Sequence, residues 1–332
     1  MEGKLPDISW PQFNSGEEIA TRKVWGAVLE ALANEMPSLV GGSADLEPSN
    51  VTSGFANVVR DYSADDRSGR NFAYGVREFP MGVINNGIAL HGGLKPFGAT
   101  FFVFSDYERP ALRLRALQGL PIISEYTHDS IFVGEDGPTH QPIEHLMATR
   151  TIPNLLVIRP ADANETVEAC RIAFEQQHRP SLVILSRQGL PVLDQKKFPI
   201  KSGIRKGGYI LSDCQNKKPD VILFATGSEI WVALEIKNLL IKYNIRVVNI
   251  PCWELLDEQS VDYIKRIIGS EECVRVSIEA GITFGWSKFT GMNGINIGID
   301  VFGESAPGEE LADHFQITPK KIADKILKVL KK

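Results

Sequence analysis

Short apolar runs rich in valine, isoleucine and phenylalanine alternate along this chain with longer stretches of helical periodicity. That alternation limits the possible folds more than any other feature. In the first part of the chain the runs are "PSLVGG", "NFAYGV", "ATFFVF", "LPIISEYT", "NLLVIRP" and "SLVILSR"; helical patterns at 79–92, 106–118, 142–150 and 163–177 lie between them. Short β-rich runs alternating with helices make βαβ units and a parallel sheet. Most of the runs lead to a polar or charged residue, among them Asp45, Glu78, His128 and Arg187. In an open parallel sheet the ligand crevice lies outside the carboxyl ends of the strands. These four side chains are therefore expected to converge on one rim.

The chain has 332 residues, too many for one ordinary core and suited to two domains. After a lead-in at 1–14, Ser15 and Glu18 have the spacing of a capping box, and an amphipathic helix is expected from there to about Glu35. The first domain is read as 15–188. Residues 189–206 mix prolines, glycines and lysines without periodicity and read as a linker. A second α/β pattern fills 207–332. "DVILFATGSE" runs into a helix at 229–243, and "IRVVNIP", "CVRVSIEAG" and "INIGIDVFGESAP" supply further strands. The last helix is expected to start at Thr318-Pro319, a cap residue followed by proline at the first helical position. The fold class read from this pattern is α/β: two domains, each a mostly parallel sheet flanked by helices.

Composition narrows the function. Hydrophobic content of 43% and charged content of 23% are those of a soluble globular protein. A net charge of -5 offers no attraction to nucleic acid or to an anionic membrane. No apolar run reaches the ~18 residues that span a bilayer, and "MEGKLPDISWPQF" lacks the apolar core of a signal peptide. Cys170, Cys214, Cys252 and Cys273 have no CxxC or zinc-like spacing and read as reduced thiols, which favours a cytoplasmic protein.

Neither a GxGxxG fingerprint nor a Walker A sequence is present. "GGSADLEPSN" (41–50) is glycine-rich with the wrong spacing for either, and on pattern alone is a tight strand-to-loop turn. "THDSIFVGEDGPTHQPIEH" (127–145) is dense in polar groups, but His140 and His145 are five apart rather than the four of HExxH. Glu135 and Asp136 also lack the alternating oxygens of a calcium loop. The segment reads as a substrate-facing loop rather than a metal site. Phe101, Phe104 and Tyr107 recur at threes, the spacing of a core stripe. A strand ends near Phe104, however, which sets these rings at the sheet rim, where they can sandwich a flat ring.

Taken in order, "GGSADLEPSN", "YGVREF", "ATFFVFSDY", "YTHDSIFVGEDGPTHQP", "ILSRQ" and "FGESAP" resemble the transketolase family, from about residue 15 to the end. The resemblance covers that family's pyrimidine-binding and C-terminal domains. The domain with the GDG…N metal and diphosphate motif has no counterpart here, and "GEDG" at 134–137 belongs to the histidine loop. The resemblance implies the C-terminal subunit of a split transketolase, completed by an N-terminal diphosphate-binding subunit and self-associating across a twofold. It implies thiamine diphosphate in a shared site, with magnesium or calcium supplied through the partner. Glu78 matches the acid that hydrogen-bonds the cofactor's aminopyrimidine. Phe104 matches the ring that stacks on it, Phe101 and Tyr107 complete the pocket, and Asp45 lies near the thiazolium. Arg22, Ser49, His128 and Arg187 match the sugar-phosphate clamp. Asp136 matches the reader of a substrate hydroxyl, and His140 the histidine at the donor's reacting oxygens. His91, His178 and His314 match none of the donor-binding histidines of the missing half, and "VTSGFANVV" after Ser49 departs from the usual loop.

Two related readings fit less well. The corresponding loop of 1-deoxyxylulose-5-phosphate synthase lacks the Thr127-His128-Asp129-Ser130 sequence. The beta subunit of a 2-oxo acid dehydrogenase lacks "GEDGPTHQP" and an arginine in the context of Arg187. A non-catalytic regulatory relative is disfavoured by intact Glu78, His140 and Arg187.

Overall fold

The computed structural model describes residues 5–214, 218–270 and 272–331. The first part runs β1 (Glu18–Ala20), α1 (Thr21–Glu35), β2 (Leu39–Ser43), α2 (Ser53–Val59), α3 (Glu78–His91), β3 (Lys95–Phe101), α4 (Ser105–Leu117), β4 (Ile123–Thr127), α5 (His145–Arg150), β5 (Leu156–Ile158), α6 (Ala163–Glu175), β6 (Ser181–Leu185) and β7 (Gly189–Pro191). The second runs α7 (Ile200–Ile204), β8 (Tyr209–Ser212), β9 (Val221–Ala225), α8 (Glu229–Leu239), β10 (Ile245–Asn249), α9 (Trp253–Asp257), α10 (Val261–Ile268), β11 (Val274–Ile278), α11 (Ser287–Thr290), β12 (Ile295–Ile297), α12 (Gly308–His314) and α13 (Pro319–Leu330).

β2-β3-β4-β6-β5 form one parallel sheet. Because strand side chains alternate between faces, each face has its own core. Ile123, Phe97 and Val183 pack with Trp25 of α1 and Phe174 of α6 on one side. Tyr126, Leu182 and Val157 pack with Leu112 of α4 and Leu146 of α5 on the other. Trp25 is fully buried, stacked on Phe174 at 6.1 Å and edge-on to Phe97 at 5.9 Å. The second sheet, β12-β11-β9-β10-β8, is parallel except for antiparallel β8 at its edge. α8, α12 and α13 cover one of its faces; α9, α10 and α11 cover the other. No helix among the described residues is long and apolar enough to cross a membrane.

The alternating runs form strands with one exception. "NFAYGV" makes only part of a ladder beside β2: Phe72 N–H donates to the Gly41 carbonyl (2.8 Å) and Tyr74 N–H to that of Ser43 (3.3 Å). It is an extended edge segment lying so close that a Cβ at Gly42 would be 2.3 Å from the Phe72 carbonyl, so glycine is required there. Glu78 accordingly opens a helix and does not end a strand. The capping box also fails: the first helix begins at Thr21, after β1, and Glu17 rather than Glu18 pairs locally, with Asn14 Nδ2 (2.7 Å). The segment expected as a linker is structured at both ends, since β7 pairs antiparallel with β1 and α7 packs on α6.

Candidate active site

The carboxyl ends of β2, β3, β4 and β6, with the edge segment leading to Glu78, form one rim. β3 runs directly into a 3₁₀ turn at Phe102–Phe104 and then α4. That turn brings the aromatic residues into a ladder: Phe101 and Phe104 are parallel with centroids 5.8 Å apart, and Tyr107 follows 5.9 Å from Phe104. Phe101 is buried, whereas Tyr107 is 64% exposed, so the ladder opens outward. His128 stacks on Phe101 at 3.7 Å, and His140 stands edge-on to Phe104 at 5.5 Å and Phe101 at 6.4 Å.

Glu78 is the first residue of α3 and is buried. Burial raises its pKa, its own amide works against this, and the neighbouring Glu108 adds to the rise. Its carboxyl thus holds a proton more tightly than an exposed glutamate does. Glu108 belongs to a buried network: Arg115 Nη2 and the Tyr126 hydroxyl each donate to it at 2.5 Å, and Arg115 also donates to the Gly82 carbonyl (3.2 Å). α3 and α4 approach closely because Gly82 has no side chain; a Cβ there would lie 2.6 Å from that of Ala111.

His128 has φ 61°, in the left-handed region, a strain of the kind that costs ~1–3 kcal/mol and is held by surrounding contacts. Asn50 Nδ2 donates to Ser43 Oγ (2.9 Å), and Asn50 Oδ1 accepts from the Thr127 hydroxyl (2.8 Å). Thr127 Oγ1 then has only lone pairs left for His128 Nδ1, 2.7 Å away. His128 therefore carries its proton on Nδ1 and leaves Nε2 as an acceptor. Burial, followed by Arg22, Arg187 and His140, pushes its pKa down to about 3.

Arg22, on α1, donates through Nη1 to the Ser49 carbonyl (2.6 Å), so Ser49 meets it through the main chain. Its Nε is buried without a partner. Burial and then the positive charge of Arg187 lower the Arg22 pKa, against an opposing pull from Glu125. The two arginines thus stand near enough to repel. Arg187 itself is exposed past the end of β6. Asp45 is exposed past β2 with φ 62°, and Asp136 is exposed on the loop after β4. Among the described residues, neither is joined to the others by a hydrogen bond, ion pair or ring contact.

The histidine loop is braced from the second half of the chain. Arg159 Nε donates to Asp129 (2.9 Å), and its Nη1 bonds Glu229. Gln141 Nε2 donates to the Gly134 and Glu304 carbonyls (2.8 and 2.9 Å), and Ser305 Oγ to that of Glu135 (2.5 Å). "FGESAP" is thus the brace for "GEDGP". His145 is turned away, with Nε2 3.2 Å from Asp106 Oδ2. Sequence reading missed Glu108, Arg115 and Glu125. The first two leave a trace: opposite charges seven apart on one stripe of α4 with Ala111 and Leu112. Glu125 is fully buried with both oxygens unpartnered, its pKa driven well up by burial against the pull of Arg22. An isolated glutamate inside an apolar run carries no local sign of that.

The transketolase pyrimidine-binding domain family matches residues 17–192, and the transketolase-like C-terminal domain family matches 207–318. The chain is 45% identical to the transketolase of Bacillus subtilis, an alignment covering 100% of this chain and 50% of that one. The transketolase of Pichia stipitis in complex with sedoheptulose 7-phosphate superposes with TM-score 0.89 at 39% identity, over 99% of this chain and 48% of that one. A split gene transketolase, described as an inactive β4 tetramer, superposes with TM-score 0.71 at 24% identity, over 95% and 99% of the respective chains. The chain spans about half the length of the curated relatives it matches.

Proposed function

This chain belongs to the transketolase family, and on that footing we propose that it forms the pyrimidine-binding half of an enzyme moving a two-carbon ketol unit from a ketose phosphate to an aldose phosphate. The observation that carries the proposal is the rim itself. A shielded acid with raised proton affinity, an outward-opening aromatic ladder and two mutually repelling arginines share one end of the sheet.

The rim fits thiamine diphosphate. The ladder offers flat apolar faces to a pyrimidine ring, and Glu78 offers that ring's nitrogen a proton that a fully solvated carboxylate would give up. When bound, the cofactor supplies the nucleophilic carbon and the electron sink for carbon–carbon cleavage. The chain supplies position and protons. Phe101, Phe104 and Tyr107 seat the ring, and Asp45 stands at the thiazolium side. His140, its Nδ1 2.9 Å from Thr139 Oγ1, exchanges a proton with the donor's oxygens. Neutral His128 presents Nε2 as an acceptor for a substrate hydroxyl, and Asp136 reads the hydroxyl beside the reacting carbon. Arg22, fixed by the Ser49 carbonyl, and Arg187 grip the phosphate. A dianion between them relieves their repulsion, and the guanidinium fork suits its oxygens.

The metal, magnesium or calcium, and the diphosphate grip come in this reading from an N-terminal partner subunit. Three observations support it. The chain matches half of its full-length relatives. Val76, Phe79, Ile84, Tyr107, Leu114 and Leu117 are exposed in or beside α3 and α4, the two helices that start at the rim, an apolar surface that needs covering. The split gene transketolase that shares the fold over 95% of this chain is described as an inactive β4 tetramer. A heterotetramer with sites between chains across a twofold is the simplest assembly. The test is Glu78→Gln in enzyme reconstituted with the partner subunit. It keeps the shape of the side chain without its acid, so ketol transfer should fall at least a hundredfold, within the usual range for acid–base groups, with an unchanged circular dichroism spectrum. Near-normal turnover removes Glu78 from the chemistry.

A further inference from the structure

The second half of the chain contains a buried positive charge that no carboxylate among the described residues answers. Arg275, on β11, is 8% exposed, and among the described residues no carboxylate pairs with it. Its Nη2 donates to the Gly269 carbonyl (2.8 Å) at the end of α10. Its Nε is sealed from solvent without a partner. Its Nη1 makes no hydrogen bond among the described residues and lies against Gly291, 3.7 Å from where a Cβ there would stand. Arginine cannot shed its proton, and an uncompensated buried charge is strongly unfavourable. A guanidinium in this state normally has a counter-ion.

The guanidinium lines a cavity of about 190 Å³ whose other walls are Cys273, Thr290 and residues 291–294. Among the described residues, the wall contains no carboxylate. The Thr290 hydroxyl is engaged with the Trp286 carbonyl and Asn296 Oδ1, and the Cys273 thiol with the Ser270 carbonyl. Among the described residues, neither main-chain N–H of the exposed turn at Met292-Asn293 has an acceptor. At ~30 Å³ per water the space holds several waters, enough for a tetrahedral oxyanion and a few further atoms. A cation, adjacent unpaired amides and no anion are the composition of an oxyanion site.

We propose that this cavity binds a small phosphate-bearing ligand, with Arg275 Nη1 and the main-chain amides of the 292–293 turn as donors. It stands apart from the rim, near the amino end of β11 and on the face of the second sheet covered by α10 and α11. The proposal therefore does not depend on the ketol-transfer reading.

The test is calorimetric titration of the full chain with inorganic phosphate at constant ionic strength. Arg22→Ala and Arg187→Ala are built in, so that the arginines of the rim do not compete. One saturable site is expected. Arg275→Gln should weaken it at least tenfold. Met292→Glu should weaken it several-fold; Met292 is 97% exposed, so this variant adds an anion at the mouth without touching the core and decides the matter if Arg275→Gln does not fold. Glycerol phosphate competing with phosphate assigns the site to a phosphate ester, and failure to compete assigns it to the free ion. Absence of saturable binding, or binding indifferent to both substitutions, overturns the proposal.

Discussion

Lowering the pH from 7 to 5 should destabilise this protein through His128 in particular. Folded, its pKa is pushed down to about 3 by burial and by Arg22, Arg187 and His140. Unfolded, it returns to the ordinary value of ~6.5. The unfolded chain therefore takes up a proton at His128 below that value while the folded chain does not. Stability falls as pH drops through ~6.5, and the loss is complete only near the folded value. At pH 5 the penalty relative to pH 7 is about 2 kcal/mol. That figure is set almost wholly by the unfolded pKa, because the folded site is still neutral at pH 5. His128→Asn removes the titrating ring with a residue that tolerates the left-handed φ of 61°. The assay is urea unfolding of wild type and variant at both pH values, with midpoints converted at common slope. The wild type should lose about 2 kcal/mol more than the variant between pH 7 and pH 5. Nitrogen-labelled imidazole spectra should show His128 unprotonated throughout that range. An equal loss in both proteins, or a His128 midpoint near 6.5, refutes the reasoning.

Arg22→Ala and Arg187→Ala should each raise KM for phosphorylated sugars more than tenfold with modest change in kcat, because the clamp holds ground and transition states alike; an equal loss with non-phosphorylated substrates in steady-state assays would make both arginines structural. Asp136→Ala should blur discrimination between donors epimeric at the hydroxyl beside the carbonyl, since a polar site penalises a misplaced hydroxyl; an unchanged ranking of epimers by kcat/KM removes that role.

How far the site could be read from the sequence depended on the kind of contact. The order of apolar runs was enough to place Asp45, His128 and Arg187 past strand ends on one rim, because strand direction and the parallel rule act over the whole chain; Glu78 reaches that rim at the start of α3 and not by ending a strand. The ladder of Phe101, Phe104 and Tyr107 followed from the strand end falling inside the motif. What stayed hidden rests on contacts distant in the chain. Nothing local shows that β7 pairs with β1 across the sequence, which turns part of an apparent linker into a strand. The charges of "DYERPALRLR" look solvated until Tyr126 and Gly82 are brought against Glu108 and Arg115. "NFAYGV" has the pattern of a strand, but Gly42 of β2 lets it lie close, and it makes only part of a ladder. The tautomer of His128 needs Asn50 and Ser43, both remote in sequence.

The most direct measurement of the central claim is calorimetry of the purified chain with thiamine diphosphate and magnesium, followed by a ketol-transfer assay with and without an N-terminal diphosphate-binding subunit. The rim offers a ring stack and one hydrogen bond, too little to offset the cost of immobilising the cofactor. The account predicts weak or undetectable cofactor binding and no turnover by the chain alone, with both restored on mixing. Tight magnesium-dependent binding, or ketol transfer by this chain alone, contradicts it.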